Sequence, residues 1–97
     1  MDRATDVVIV GAGLSGLAAA RRLASEHVTC LVVEARDRVG GRTFARTVQG
    51  LRIDLGGQWI GAKHERLTAL AARLGLETFP TYHRGQKVLE MDGRLSR

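Results

Sequence analysis

The chain has 97 residues, of which 44% are hydrophobic and 26% charged, and its formal net charge is +5 at pH 7. This length accommodates at most one small domain with a marginal core, and the composition is that of a folded rather than a disordered protein. The basic residues are scattered and few aromatic residues accompany them, so we expect no nucleic-acid partner.

The single cysteine and the histidines predict neither a disulfide nor a metal site. Cys30 has no partner in the chain for a disulfide, and its apolar neighbours predict a buried thiol. His27, His64 and His83 share no metal-ligand spacing, so no metal is predicted. No stretch approaches the roughly 18 apolar residues of a membrane span, and the first apolar run is too short for a signal peptide. We therefore expect a cytoplasmic protein without membrane association.

The start of the chain has the pattern of a strand, a glycine turn, a helix and a second strand. Residues 6–10, DVVIV, predict a parallel strand covered on both faces. The stretch from Gly13 to Ser25 is rich in alanine, leucine and arginine, which favour a helix. Residues 28–33, VTCLVV, predict the second strand. The sequence therefore predicts an α/β fold that begins with a βαβ unit over residues 5–35.

Beyond that unit the pattern is looser. We predict a loop over residues 36–48, which contains Gly-Gly-Arg, and a further segment over residues 50–75. That segment contains a strand with one solvated face, followed by an amphipathic helix that ends at Gly75 in a Schellman cap. The apolar stripe of the helix consists of Leu67, Leu70, Ala71 and Leu74.

Residues 76–97 are predicted to contain edge strands or the start of a substrate domain. Residues 77–82, ETFPTY, predict a short edge strand or a turn, because proline cannot donate to a strand ladder. The dipeptide at positions 92–93, Asp-Gly, predicts the turn of a β-hairpin.

Gly11, Gly13 and Gly16 form the pattern G-x-G-x-x-G where the first strand meets the helix. In dinucleotide-binding proteins the first glycine permits a tight turn and the second lets a diphosphate approach the main chain. The third lets the helix pack closely. The free amides and the positive dipole end at the helix start then bind the anion. A plain glycine-rich turn without a ligand remains the alternative.

Glu34 ends the second strand roughly 20 residues beyond the glycine motif, where a ribose-binding acid is expected. A carboxylate there can accept hydrogen bonds from both ribose hydroxyls, whereas an exposed loop glutamate is the alternative. Its charge repels a 2′-phosphate and disfavours NADP. The fingerprint alone leaves both NAD and FAD open.

Three motifs resemble, in order, those of the flavin-dependent amine oxidase family, and the resemblance as a whole covers essentially all 97 residues. They are EARDRVGGRT at 34–43, DLGGQWIG at 54–61 and HERLTALAARLGLETFPTY at 64–82. Within the family the resemblance is to bacterial flavin monoamine oxidases of the putrescine-oxidase or monoamine-oxidase type. It implies FAD as the cofactor and a Rossmann-like FAD-binding domain of the glutathione-reductase type. Residues 1–97 would be the incomplete, amino-terminal part of that domain.

The resemblance also implies which residues bind the cofactor. These are Gly11, Gly13, Leu14, Ser15, Gly16, Glu34, Ala35, Arg36, Gly40, Gly41, Arg42, Gly56, Gly57, Gln58 and Trp59. Ser15 would lie at the diphosphate turn, and Arg42 would cross the diphosphate or reach towards the flavin, because a guanidinium pairs with two phosphate oxygens. Gly40 and Gly41 would leave room for the cofactor.

Several of these assignments have a simpler alternative. Residues 56–59 would lie along the isoalloxazine edge, but Trp59 could equally be a core residue. Arg36 is explained more simply as a solvated loop charge, an explanation we do not favour for Arg38.

The activity that the resemblance implies is oxidative deamination of a primary amine or polyamine by hydride transfer to the flavin, with O₂ as reoxidant. The substrate would be a small-molecule amine bound by the full-length enzyme, and a homodimer stays open. We predict no catalytic residue, because none of these residues is a convincing acid, base or nucleophile. The alternatives are another oxidase or desaturase of the same flavin superfamily, and a non-catalytic remnant that binds FAD or a partner. We expect this segment alone to bind FAD weakly or not at all.

Overall fold

A computed structural model describes residues 4–97, which divide into two compact units, the first ending at Trp59 and the second comprising Ile60–Arg97. Neither helix in residues 4–97 has the length and apolar character needed to cross a membrane. In chain order the elements are β1 (Val7–Val10), α1 (Leu14–Ser25), β2 (Cys30–Val33), β3 (Phe44–Val48), β4 (Leu51–Gly56), α2 (Glu65–Arg73), β5 (Leu89–Met91) and β6 (Arg94–Ser96).

The first three elements form the predicted βαβ unit. β1 and β2 are a parallel pair in which Val7 lies opposite Cys30, and α1 packs against both strands. β-branched residues favour the two strands, and alanine and leucine favour the helix between them. The Gly11 N–H donates to the Val33 carbonyl at 2.7 Å, so the pairing of the strands continues to the first glycine of the turn.

The prediction that β1 is covered on both faces was wrong for this unit. Val8 and Val10 are 55% and 86% exposed, because α1 is the only described helix of the unit and covers one face of the strand pair. Cys30 is half-buried rather than buried, although its Sγ lies on the side of α1, 3.9 Å from the Ala20 carbonyl oxygen. Ala12 is the one buried residue in the described part of the unit.

The predicted loop over residues 36–48 was wrong at its end, where β3 pairs antiparallel with β4. The two strands are joined by Gln49 and Gly50, which both have positive φ, 50° and 79°. This turn lacks the Asn or Asp that typically signals a two-residue hairpin, which explains why the pattern was missed. The predicted single solvated face of β4 was also wrong, since Leu51 and Leu55 are 69% and 59% exposed.

In the second unit α2 ends in the predicted Schellman cap. The N–H of Leu76 donates to the carbonyl of Ala71 at 2.9 Å, and the N–H of Gly75 donates to that of Ala72 at 3.0 Å. Gly75 has a φ of 68°, the left-handed conformation that this cap requires.

The predicted hairpin at residues 92–93 is confirmed as β5 and β6, with positive φ at both turn residues. Residues 77–82, however, form neither the predicted strand nor a turn. The assignment of this region to edge strands of the cofactor domain or to a substrate domain stays a prediction.

A reciprocal hydrogen-bonded clip joins the beginnings of β1 and β2. The N–H of Asp6 donates to the Thr29 hydroxyl oxygen at 3.1 Å, and the N–H of Thr29 donates to the Asp6 carboxylate at 2.9 Å. The Thr29 hydroxyl donates to the same carboxylate. These hydrogen bonds hold the pKa of Asp6 below its ordinary value of 3.8, and the Thr29 hydroxyl has a larger effect than the Thr29 N–H.

Replacing Thr29 by valine should lower the melting temperature at pH 7 by a few degrees, because the shape is kept while the hydroxyl bonds are lost. The pKa of Asp6 is lower in the folded state, so its contribution to stability is present above 3.8 and is lost as the pH falls through the folded value. The difference in melting temperature between wild type and Thr29→Val should therefore disappear at acidic pH. Thr29→Ser, which keeps the hydroxyl, is the control. Equal melting temperatures for wild type and Thr29→Val at pH 7 would contradict the role of the clip.

Candidate functional site

Two of the three glycines in the first turn are required by the backbone itself. Gly11 has a φ of 102°, which residues with a side chain rarely adopt. A Cβ on Gly16 would collide with the carbonyl oxygen of Gly11, so glycine at this position lets α1 begin directly against the turn. The bend and the close approach together set the direction in which α1 leaves β1.

Neither a positive φ nor a close approach explains the glycine at position 13. Its φ of −75° and ψ of −177° are extended backbone that any residue adopts, and a Cβ there would meet no described heavy atom within 4 Å. The packing of residues 4–97 therefore does not account for this glycine. A ligand that approaches the main chain at this point would account for it, because a side chain would occupy the ligand's space.

An open cleft of about 410 Å³ lies at this turn. Its lining consists of Val10, Gly11, Gly13, Leu14, Ser15, Gly16 and Arg42. α1 begins in the cleft with no side chain capping its first amides and no acidic residue in its first turn. The N–H groups and the positive dipole end of the helix can therefore bind an anion, and the guanidinium of Arg42 adds a permanent positive charge.

Glu34 lies at the end of β2 and holds the turn from the other side. One carboxylate oxygen accepts the Ala12 N–H at 2.8 Å, and the other accepts the Arg36 N–H at 3.0 Å. These two backbone donors, Arg36 first and Ala12 second, hold the pKa of Glu34 below its ordinary value of 4.5. A carboxylate has about four acceptor sites, so this anion can also accept hydrogen bonds from a ligand.

The second glycine turn, at Gly40 and Gly41, packs backbone to backbone against the first. The Gly40 N–H donates to the carbonyl of Ala12 at 2.8 Å, and Gly40 forms a parallel β-bridge with Gly13. A Cβ on Gly41 would lie 3.3 Å from the Cα of Gly13. Gly41 thus makes room for the first turn, whereas a Cβ on Gly40 would collide with the carbonyl oxygen of Thr43 in its own turn. That the pair also leaves room for the cofactor stays a prediction. This packing brings Arg42 to the cleft.

The glycines of the third motif also have a packing reason. A Cβ on Gly56 would collide with the carbonyl of Arg42, and one on Gly57 would collide with the side chain of Thr43. Both glycines therefore let the end of β4 lie against the Gly-Gly-Arg turn. The predicted contacts of residues 56–59 with the flavin edge stay a prediction.

The remaining predicted residues differ in what they contribute. Trp59 is 64% exposed, so the alternative of a core residue was wrong for this unit, and Gln58 is exposed beside it. Arg36 is exposed, as its simpler explanation predicts, but its backbone amide anchors Glu34. Ala35 is exposed between these two residues.

Three residues that matter to the site were missed by the sequence analysis. Ala12 links Glu34 to Gly40 through its backbone, and only its place between two motif glycines signals this. Val10 lines the cleft as the last residue of β1. Thr43 donates its N–H and its hydroxyl to the Gly40 carbonyl, and the hydroxyl bond spans three residues, a spacing typical of threonine in turns.

The family model described as flavin containing amine oxidoreductase matches residues 14–97. Putrescine oxidase from Kocuria rosea is 53% identical over 89 residues, which are 91% of this chain and 19% of that protein. L-amino acid dehydrogenase from a Synechocystis species is 46% identical over 90 residues, 92% of this chain and 19% of that protein. The structure of cyclohexylamine oxidase from Brevibacterium oxydans is similar with a TM-score of 0.83 at 42% identity, covering 96% of this chain and 21% of that one.

The chain spans about a fifth of the length of these relatives. The similarity to the solved oxidase confirms the predicted fold, the α/β beginning of an FAD-binding domain. Since the family model matches most of its length, the chain belongs to the flavin-containing amine oxidoreductases, a family of FAD-dependent enzymes.

Proposed function

We propose that the first unit binds the adenosine diphosphate half of FAD in an enzyme that oxidises a primary amine or polyamine. The observation that carries the proposal is the start of α1, which opens without a capping side chain or an acidic residue into a cleft that Arg42 also lines. Oriented N–H groups beside a guanidinium form a site for a diphosphate. Gly13, which packing leaves unexplained, is the place where the diphosphate would approach the main chain.

The ribose of the adenosine would be bound by Glu34. Each of its carboxylate oxygens accepts one backbone N–H, which fixes the orientation of the carboxylate and leaves further lone pairs for two ribose hydroxyls. A carboxylate whose pKa lies below 4.5 is ionised at neutral pH, and charge-assisted hydrogen bonds are stronger than neutral ones. The same anion disfavours a 2′-phosphate, which supports FAD over a phosphorylated dinucleotide.

When bound, FAD supplies the acceptor for the hydride that leaves the carbon next to the amine nitrogen, with O₂ as the reoxidant. The residues of the first unit contribute binding and orientation. Arg42 and the amides of Leu14 and Ser15 would hold the diphosphate, and Glu34 would hold the ribose. A nucleotide fixed at these points holds the flavin end in one direction, which is what hydride transfer over a short distance needs.

This segment does not by itself select the substrate. Proteins named for putrescine, cyclohexylamine and L-amino acids share it at 42–53% identity, so its common features serve the common cofactor. The proposal of a primary amine or polyamine therefore rests on the family and on its relatives, and on no residue of this segment.

The activity can be tested by anaerobic bleaching of the full-length protein. We expect a flavin absorbance spectrum that bleaches on addition of putrescine or cyclohexylamine and returns with air. Bleaching by an L-amino acid, and by neither amine, would show that the substrate is an amino acid and would contradict the proposed amine substrate. A yellow protein that no amine and no amino acid bleaches would support a non-catalytic remnant instead.

Gly13→Ala and Gly16→Ala should have different consequences. A methyl group at position 13 meets no described atom within 4 Å, so Gly13→Ala should lower the melting temperature of the apoprotein less than Gly16→Ala does, while its Kd for FAD rises at least about tenfold. A methyl group at position 16 collides with the Gly11 carbonyl, so Gly16→Ala should lower the melting temperature of the apoprotein itself. FAD titration and thermal melts separate the two effects. Unchanged FAD affinity in Gly13→Ala would argue against a diphosphate at this turn.

Glu34→Gln tests the double role of the carboxylate. An amide keeps one acceptor oxygen but turns a donor towards one of the two N–H groups, so FAD affinity and apoprotein stability should both fall at pH 7. The folded pKa of Glu34 is lowered, so its contribution is present above 4.5 and is lost as the pH falls through the folded value. The difference in melting temperature between wild type and variant should therefore shrink in acid. Glu77→Gln, an exposed glutamate of the second unit, is the control. A difference in melting temperature that does not depend on pH would contradict the role of the ionised Glu34 carboxylate in stability.

A further inference from the structure

We propose that Arg38 is a positioning residue for the FAD site: its guanidinium fixes the second glycine turn and thereby holds Arg42 at the diphosphate cleft. The inference rests on the proposed function, because it assigns a role within the same site. The guanidinium of Arg38 donates to carbonyls of its own turn. It would therefore act through the backbone and through Arg42.

The side chain of Arg38 folds back over its own turn. Its Nη1 donates to the Val39 carbonyl at 3.2 Å, and its Nη2 donates to the Gly41 carbonyl at 2.9 Å. Its Cζ atom lies 4.4 Å from the centre of the Phe44 ring, at the start of β3. A planar fork with two donors and a stacking face is a property of arginine that lysine does not have.

Together with Thr43, Arg38 provides partners for three consecutive carbonyls of the turn. Those of Val39 and Gly41 accept from Arg38, and the one between them, on Gly40, accepts the N–H and hydroxyl of Thr43. The turn contains two glycines, which lose more conformational entropy on ordering than any other residue. Side chains that bind its carbonyls therefore decide whether it has one conformation.

The fixed turn is coupled directly to the diphosphate turn. Gly40 donates its N–H to Ala12, and Gly41 lies against Gly13. Arg42 comes next in the chain and lines the cleft. If the carbonyls of the turn were released, the glycine pair could rotate and the Arg42 side chain would no longer be held beside the first amides of α1.

The experiment measures FAD and ADP binding to the full-length apoprotein by titration, for wild type, Arg38→Ala, Arg38→Lys, Arg42→Ala and the Arg38→Ala/Arg42→Ala double variant. Arg38→Ala should raise the Kd for both ligands about tenfold. Arg38→Lys should recover only part of the loss, because an ammonium cannot bridge both carbonyls and stack on Phe44. Arg21→Ala removes the same charge from an exposed position of α1 and should leave both Kd values unchanged.

The double variant separates positioning from a general structural role. If Arg38 acts through Arg42, the double variant should bind FAD within roughly twofold of Arg42→Ala alone, and losses that add would overturn the inference. Adenosine lacks the diphosphate, so its Kd should not change in Arg38→Lys, and an equal loss for adenosine and ADP would also overturn it. So would an unchanged ADP affinity in Arg38→Ala. A wild-type protein that binds neither FAD nor ADP would instead overturn the proposed function and this inference together.

Discussion

Two hydrogen bonds of a single residue join the parts of the candidate site. The N–H of Ala12 donates to the Glu34 carboxylate, its carbonyl accepts the N–H of Gly40, and both bonds are 2.8 Å long. Ala12 is only 2% exposed, so water cannot easily replace either partner. The end of β1, the end of β2 and the second glycine turn meet at this residue, and none of them could shift without leaving a buried polar group of the backbone unpaired.

The arrangement around Ala12 separates two requirements that a glycine motif usually combines. Gly11 and Gly16 are required by the folding of the chain itself, because Gly11 has a positive φ and Gly16 lies against the carbonyl of Gly11. Neither reason applies to Gly13, which lies in the cleft where the first turn of α1 presents its amides. The distinction makes a dinucleotide site a better explanation of the motif than a plain turn between a strand and a helix.

The features predicted from the sequence are those that depend on neighbours in the chain. The βαβ unit, the Asp-Gly hairpin and the Schellman cap at Gly75 each follow from local residue preferences, and each was found where the pattern placed it. The exposure of Val10 and Leu51 depends on which elements cover a sheet, and a strand pattern does not contain that information. β3 was missed because its turn, Gln-Gly, lacks a strong signal.

The site shows the same limit. Glu34 and the glycines could be placed from their spacing, but the role of Arg38 depends on the directions of carbonyl groups, which no residue pattern specifies. The glycines at positions 56 and 57 are a second example. Their predicted contacts with the flavin edge stay a prediction, and the structure adds a reason for glycine that the sequence did not indicate, because a Cβ at either position would collide with the Arg42 carbonyl or the Thr43 side chain.

A crystal structure of the full-length protein grown with FAD tests the central claim most directly. The account predicts diphosphate oxygens within hydrogen-bonding distance of the Leu14 and Ser15 amides and ribose hydroxyls on the Glu34 carboxylate. Density for the nucleotide elsewhere, with a protein side chain capping the start of α1, would contradict it.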